Sequence, residues 1–91
     1  MTHYIKIPEQ LSIVESPEFR ERMNAMEFEA KDTLALDFST CTFIDSTGLG
    51  ALVGLYKRCS DLGVKLELNQ MRQDVKRIFQ ITKLDQIFDI R

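Results

Sequence analysis

The sequence has few of the residues that build metal sites or disulfide frameworks. Its 91 residues include two cysteines, Cys41 and Cys59, and one histidine, His3. The cysteines do not form a CxxC pair and each lies in an apolar stretch, so metal ligands are not present at the required spacing. We therefore expect reduced, buried cysteines, as is usual inside cells, and no metal or other cofactor.

Basic clusters, signal-peptide features and long apolar runs are also missing. The formal net charge is −2, and the 12 lysines and arginines are spread along the chain. A nucleic-acid-binding surface needs concentrated positive charge, so we expect no direct contact with nucleic acid. No apolar run approaches the roughly 20 residues of a membrane span, and the N-terminus does not have the pattern of a leader. These absences favour a cytoplasmic protein that does not insert into membranes.

What the sequence does contain is a regular alternation of strands and helices. Apolar periodicity predicts strands at 4–7, 11–14, 33–38, 41–44, 64–68 and 86–90, and helices at 16–28, 46–62 and 74–82. Ser16-Pro17-Glu18 is a favourable helix start, and Gly63 is suitably placed to end the second helix. A chain of this length holds one modest core. We predict an α/β fold, a single small domain with a mixed β-sheet and helices packed mainly on one face.

The helix predicted at 46–62 has two different faces. Its core-facing stripe has the expected helical spacing and consists of Leu49, Leu52, Val53, Tyr56 and Cys59. The opposite face includes Gly50 and Gly54, although a glycine costs about 1 kcal/mol relative to alanine inside a helix. Either a partner protein approaches the backbone closely here, or a loop of the same chain packs on these glycines. We favour the partner, and predict a docking surface, flanked by Leu55 and Leu62, that contains Thr47, Gly50, Ala51, Gly54, Lys57 and Arg58.

Ser46 follows Asp45 at the junction of a predicted strand and this helix. The N–H groups and the dipole at a helix start favour an anion, and a phosphate on Ser46 would add about −1.5 to −2 charges. Considered from the residues alone, an ordinary N-cap is the commoner role of such a serine. The commoner role of Asp45 is then that of a loop acid or an alternative cap.

Enzymatic interpretations find less support. The glycines of this helix do not have the spacing of a dinucleotide-binding loop, and no P-loop lysine follows them, although weak nucleotide contact at the helix start stays open. A nucleophilic Ser46 would need a histidine base, and the single histidine is near the N-terminus. Asp37 ends a buried strand, where capping a backbone amide is the commoner role. We therefore expect no acid–base or metal pair with Asp45, and no enzyme.

The stretch that runs from Leu36 to Gly50, LDFSTCTFIDSTGLG, resembles the signature of the STAS family. It looks most like bacterial anti-sigma-factor antagonists, in which a strand runs into Asp-Ser-(Ser/Thr)-Gly-Leu-Gly and a helix. Downstream, the segments 75–79, 84 and 87–88 are similar to the family's second helix and last strand. The resemblance is weaker over the first thirty residues, where the family's Gly-containing turn is missing. It implies one STAS domain over residues 1–91, with shortened N-terminal strands and a shortened C-terminal helix.

The resemblance also implies a phosphorylation-controlled switch. In the family, the unphosphorylated domain binds an anti-sigma factor that is also a serine kinase; phosphorylation breaks this complex, and a PP2C-type phosphatase restores it. The phosphorylated serine follows the motif aspartate, which indicates Ser46 here, with Thr47 as a second choice, and extends the docking surface to Asp45 and Gly48. The alternative is a STAS subunit without a switch, in a lipid-transport ABC complex or a stressosome-like scaffold. The sequence identifies neither the sigma factor nor the two enzymes.

Overall fold

The computed structural model describes residues 1–91. Six strands, three α-helices and one 3₁₀ turn follow one another along the chain. In order they are β1 (Thr2–Lys6), β2 (Gln10–Leu11), α1 (Ser16–Ala25), β3 (Thr33–Asp37), β4 (Phe43–Ile44), α2 (Ser46–Leu62), β5 (Lys65–Asn69), α3 (Gln73–Ile81), the 3₁₀ turn (Leu84–Gln86) and β6 (Asp89–Ile90). All three predicted helices are present, and the α/β fold expected from the alternation of elements is confirmed.

The main sheet has four strands in the order β1-β3-β5-β6, and a separate two-stranded sheet joins β2 to β4. Every strand pair is parallel, whereas we expected a mixed sheet. The connections explain the difference, because each step from one strand of the main sheet to the next passes through a helix, and such crossovers join parallel strands. The short connection at Pro8 does not form a hairpin, since the chain leaves the main sheet there and pairs β2 with β4.

The two faces of the main sheet differ in exposure. In β5, Leu66 and Leu68 are buried while Lys65 is exposed, and in β1 alternate residues are exposed, Tyr4 among them. Side chains of successive strand residues point to opposite faces, so this alternation shows that one face is covered and the other is open to solvent. The helices therefore pack mainly on one face of the sheet, as predicted.

The core lies between the covered sheet face and the three helices. It is a single cluster of 20 buried residues. Phe79 of α3 packs edge-on against Phe38 and Phe88, with ring centroids 6.3 and 5.7 Å apart. Both cysteines, Cys41 and Cys59, are buried and free as predicted, and burial raises the pKa of each thiol.

The helix α2 is the longest of the three and positions the candidate site. It begins at Ser46 and ends at Leu62, as predicted. Gly63 ends it with a φ of 73°, a left-handed conformation that glycine adopts without strain, and its N–H bonds the last carbonyls of the helix. At 17 residues α2 falls short of a bilayer, and no other helix has the length and apolar character to cross one.

The entry into α1 differs from expectation. β2 is only two residues long, and the chain turns directly after it, so Ile13 and Val14 lie outside any strand. Ser12 and Glu15 brace this turn, because the Glu15 carboxylate accepts hydrogen bonds from both the backbone N–H and the hydroxyl of Ser12. Ser16, which we expected to cap the helix, is its buried first residue, and its hydroxyl donates to the Ser12 carbonyl. The turn leaves Ile13 and Val14 on the surface.

Two further element ends lie three residues from their predicted positions. α1 ends at Ala25 and not near residue 28, because Met26 already has an extended backbone with ψ 138°. The last strand is confined to Asp89–Ile90, since the chain forms a 3₁₀ turn at Leu84–Gln86. Neither difference alters the surroundings of the segment that begins α2.

Candidate functional site

Asp45 fixes the start of α2. One of its carboxylate oxygens accepts the backbone N–H of Gly48 at 2.9 Å, which is the bond of a helix N-cap. The other oxygen accepts the backbone N–H of Ile13 at 3.0 Å, in the turn before α1. These bonds, first that from Gly48, hold the pKa of the Asp45 carboxyl below its ordinary value. Two roles were considered for Asp45, a loop acid and an alternative cap, and the structure shows the cap.

Ser46 has no capping role, because Asp45 already occupies that position. It is the first residue of α2, it is exposed, and its hydroxyl makes no hydrogen bond within the chain. Thr47, the neighbouring hydroxyl, is half-buried. Of the two candidate acceptors, Ser46 therefore presents the more accessible hydroxyl.

Two residues of the predicted docking surface are buried, so their assignment to that surface is corrected. Gly48 packs so closely on β2 that a Cβ at this position would overlap the carbonyl oxygen of Leu11. Ala51 is 3% exposed and lines the cleft between α1 and α2. The prediction from the helical wheel assumes that α2 packs on the main sheet alone. Because β2 and α1 also pack on α2, a wider arc of its surface is buried. Leu55, expected at the edge of the surface, is buried for the same reason.

The buried stripe of α2 is correspondingly turned toward α1. Leu49, Leu52 and Cys59 are buried as predicted. Val53 and Tyr56, which we also assigned to the core, are only half-buried. The helix therefore rests on two layers, the sheet and α1, rather than on the sheet alone.

Arg58 supports α1, which corrects its assignment to the docking surface. Its guanidinium donates hydrogen bonds to the carbonyl oxygens of Met23 and Met26 at 2.6 and 2.8 Å. The last carbonyls of a helix lack partners within the helix, so these bonds cap α1. The guanidinium also lies 5.2 Å from the ring centroid of Phe28. Arg58 is therefore not free for a partner while the end of α1 is intact.

Of the residues predicted for the docking surface, those of α2 that remain exposed form a narrower strip, which consists of Ser46, Gly50, Gly54 and Lys57. Both glycines face outward, as predicted, and the side chain of Arg20 reaches across from α1 to lie over them. Its Nη2 lies 3.6 Å from the position of a Cβ on Gly50, and its Nη1 lies 3.8 Å from that on Gly54. No loop of the chain packs on these glycines, because the flexible side chain of Arg20 is the only group near their Cβ positions. The close approach of a partner stays a prediction.

The exposed turn beside this strip was not predicted. Ile13 and Val14 are 67% and 76% exposed, and the hydrogen bond to Asp45 holds the turn next to the start of α2. In the same turn, hydrogen bonds from Ser12 hold the pKa of the Glu15 carboxyl below its ordinary value. The site is therefore an apolar turn with two carboxylates beside it. The Ser-x-x-Glu spacing of a capping box is the signal that could have revealed it.

The side chains considered for catalysis, Asp37 and His3, make hydrogen bonds with residues other than Asp45 and Ser46. The Asp37 carboxylate accepts the backbone N–H of Ser39 at 2.8 Å, which is the capping role expected of it and lowers its pKa. His3 is hydrogen-bonded to Asp32 at 2.9 Å, just before β3, so it is not placed to act as a base for Ser46. The structure groups no three His, Cys, Asp or Glu side chains that could hold a metal ion.

Comparison with known proteins gives consistent matches over most of the chain. The family model of the STAS domain matches residues 3–91. The anti-sigma-B factor antagonist of Bacillus subtilis is 30% identical over 86 residues, which cover 94% of this chain and 78% of that protein. The anti-sigma-B factor antagonist of Listeria monocytogenes is 29% identical over 76 residues, which cover 84% of this chain and 67% of that protein.

Solved structures have the same architecture. A protein from Thermotoga maritima, provisionally named an anti-sigma factor antagonist, is 26% identical with a TM-score of 0.78, covering 94% of this chain and 75% of that one. A sulfate transporter family protein from Wolinella succinogenes has a TM-score of 0.84 over 94% of this chain and 70% of that one. At 16% identity, the second likeness shows the fold alone.

Proposed function

Since the chain belongs to the STAS domain family, we propose that it acts as an anti-sigma-factor antagonist, a module that binds an anti-sigma factor and so frees a sigma factor. Its docking surface is the exposed strip of α2 together with the turn at Ile13 and Val14. Binding of this kind requires no catalytic group on the chain. The protein is then a substrate of enzymes and not an enzyme itself.

The observation that carries the proposal is the free hydroxyl of Ser46 at the start of α2. Because Asp45 makes the capping bonds, the serine can be modified without loss of a structural hydrogen bond. Ser46 is the acceptor for an anti-sigma factor that is also a serine kinase. The Ser46 oxygen attacks the γ-phosphorus of ATP, its proton passes to a base of the kinase, the bond from that phosphorus to the β,γ-bridging oxygen breaks, and ADP leaves.

The phosphate acts on the docking surface by charge and by size. It adds about −1.5 to −2 charges beside Asp45, whose carboxyl is ionised at neutral pH as an aspartate ordinarily is, and whose pKa is lowered further by its hydrogen bonds. A partner surface that fits a neutral hydroxyl then meets a bulky anion, and the complex dissociates. The fold itself changes little, since Ser46 is exposed and its hydroxyl holds no other residue in place.

Hydrolysis resets the switch. A PP2C-type phosphatase transfers the phosphoryl group to water, which releases inorganic phosphate and regenerates the Ser46 hydroxyl. The kinase, the phosphatase and the antagonist meet in the cytoplasm, where both ATP and sigma factors are present.

The test uses a purified anti-sigma kinase with ATP, intact-mass spectrometry and a pull-down. We expect one added phosphate on the natural chain and none on Ser46→Ala. Ser46→Asp should lose kinase binding with an unchanged circular dichroism spectrum. Ser60→Ala, an exposed position near the other end of α2, is the matched control and should behave as the natural chain does.

Two outcomes would contradict the proposal. A chain that gains no phosphate on Ser46 or Thr47 is not the substrate of the kinase. Stable binding that ATP does not alter would instead favour a subunit without a switch, as in a lipid-transport ABC complex or a stressosome-like scaffold.

A further inference from the structure

Arg20 crosses from α1 to the exposed strip of α2 without a partner of its own. Its two terminal nitrogens lie within van der Waals distance of where Gly50 and Gly54 would carry side chains. The ion pairs of the structure involve the N-terminus, His3, Lys65 and Arg91, and the side-chain hydrogen bonds do not include Arg20. A guanidinium with five donors is therefore left free on the surface proposed for docking.

The free guanidinium lies between one and two helical turns from Ser46, beside Gly50 and Gly54. Ser46, Gly50 and Gly54 follow one another at intervals of four residues, and the Cβ positions of neighbours in such a row are about 5–6 Å apart. Because the two positions beyond the serine are glycines, no side chain of this row stands between the Ser46 hydroxyl and Arg20. The two glycines therefore leave a flat surface on α2 and also leave the row between Ser46 and Arg20 free of side chains.

The direction of the helices also favours this contact. α1 and α2 run the same way, since Ile13 is bonded to Asp45 near their starts and Met23 is bonded to Arg58 further along. Long side chains on a helix lean toward its N-terminus. For Arg20 that is the direction in which Ser46 lies.

We propose that Arg20 is the internal partner of the phosphate on Ser46, moving along the strip to bind two phosphate oxygens once that phosphate is present. The inference rests on the proposed function, since it requires a phosphate at Ser46. Guanidinium and phosphate form paired, charge-assisted hydrogen bonds, which are stronger than any contact that Arg20 makes in the unmodified chain. Only hydrogen bonds form in this step.

With this contact, phosphorylation changes two side chains of the docking surface, those of Ser46 and Arg20. In the unmodified chain Arg20 is a free cation on the docking surface, available to an acidic group of the partner. In the phosphorylated chain it is drawn over Gly50 and occupied by the phosphate. Phosphorylation therefore adds an anion to the surface and withdraws a cation from it at the same time.

The test places phosphoserine at position 46 of the full chain by encoded incorporation, so that no kinase is needed. A ³¹P NMR titration compares this chain with the same chain carrying Arg20→Met or Arg22→Met. Methionine retains an unbranched apolar side chain over the glycines, and Arg22 is a matched control on α1 that lines a cavity with Lys6 on the β1 side. We expect Arg20→Met alone to raise the pKa of the phosphate, because it removes the cation that stabilises the dianion. The Arg20 Nε–H resonance should also shift on phosphorylation.

Equal phosphate pKa values in all three chains would overturn the contact. The same rise in both variants would overturn it as well, since it would reflect only the change in net charge. The proposed function is tested separately. A kinase that leaves Ser46 unmodified contradicts that function and leaves the NMR result standing, whereas equal pKa values contradict the contact and leave the switch intact.

Discussion

Asp45 and Ile13 are joined by a hydrogen bond of 3.0 Å from the backbone N–H of Ile13 to the Asp45 carboxylate, across 32 positions of the sequence. The same carboxylate caps α2 through Gly48. The exposed Ser46 and the apolar turn at Ile13 are thus held in a fixed relation by one side chain. A partner can contact both at once, although they lie in separate parts of the chain.

Removal of the Asp45 carboxylate should destabilise the fold. Asp45→Ala loses the N-cap and the bond to Ile13, so we expect the free energy of unfolding in urea to fall by about 1–2 kcal/mol. Asp45→Asn should lose less, because its amide oxygen still accepts one of the two N–H groups. Asp61→Ala, exposed in the last turn of the same helix, should change it by less than about 0.5 kcal/mol. Equal losses for the two alanine variants would show that these hydrogen bonds contribute nothing.

Acid should weaken the fold in part through Asp32. The hydrogen bond with His3, followed by that from the backbone N–H of Glu29, lowers the pKa of Asp32 from 3.8 to about 2. A carboxyl whose pKa is lower in the folded chain stabilises the fold above its ordinary pKa, and this stabilisation is lost as the pH falls. We expect the urea midpoint to drop between pH 3.8 and about 2, and to drop less in Asp32→Asn. The exposed control Asp85→Asn should follow the natural chain; identical curves for Asp32→Asn would refute the assignment.

Arg58 should contribute to the stability of the fold more than to the binding of an anti-sigma factor. Arg58→Met removes two hydrogen bonds from a charged donor to the end of α1, and we expect the free energy of unfolding to fall by about 2 kcal/mol. Lys57→Met, at the adjacent exposed position, should leave it within about 0.5 kcal/mol. Thermal and urea unfolding measure both. An Arg58→Met chain of undiminished stability that fails to bind an anti-sigma factor would return Arg58 to the docking surface.

The glycines of α2 should respond in opposite ways to alanine. Gly48→Ala brings a methyl group into the carbonyl oxygen of Leu11, so it should destabilise the chain or prevent folding. Gly50→Ala meets only the movable side chain of Arg20 at 3.6 Å, so the better helix propensity of alanine should raise the free energy of unfolding by up to about 1 kcal/mol. Urea denaturation of the two variants measures both changes. An equal loss of unfolding free energy in Gly48→Ala and Gly50→Ala would contradict the packing described.

The parts of the structure that sequence predicted well are those with a local signal. The bounds of α2 are found as expected, because Asp45 and Gly63 each carry the chemistry of a helix end. The burial of Ala51 and the capping role of Arg58 depend instead on α1 lying across α2. The periodicity of one helix contains no information about a second helix that covers it, so both residues were assigned to the surface.

The small sheet and the turn after it have a similar explanation. Gln10 pairs with Phe43, in strands of two residues each. Two residues are too few for an alternation to be recognised, which is why the sequence predicts a strand as far as Val14 and no turn before α1. The exposed side of the candidate site therefore required the structure, whereas Ser46 followed from the motif.

The exposed turn should contribute to partner binding and not to stability. Ile13 is 67% exposed beside the start of α2, and Ile81 is 74% exposed at the end of α3. With the anti-sigma kinase as the probe, we expect Ile13→Ser to weaken binding by about tenfold, or roughly 1.4 kcal/mol, and Ile81→Ser to have no effect. Both variants should leave the free energy of unfolding within about 0.5 kcal/mol of the natural chain. Because each removes the same apolar side chain from an exposed position, equal affinities would place the docking surface away from this turn.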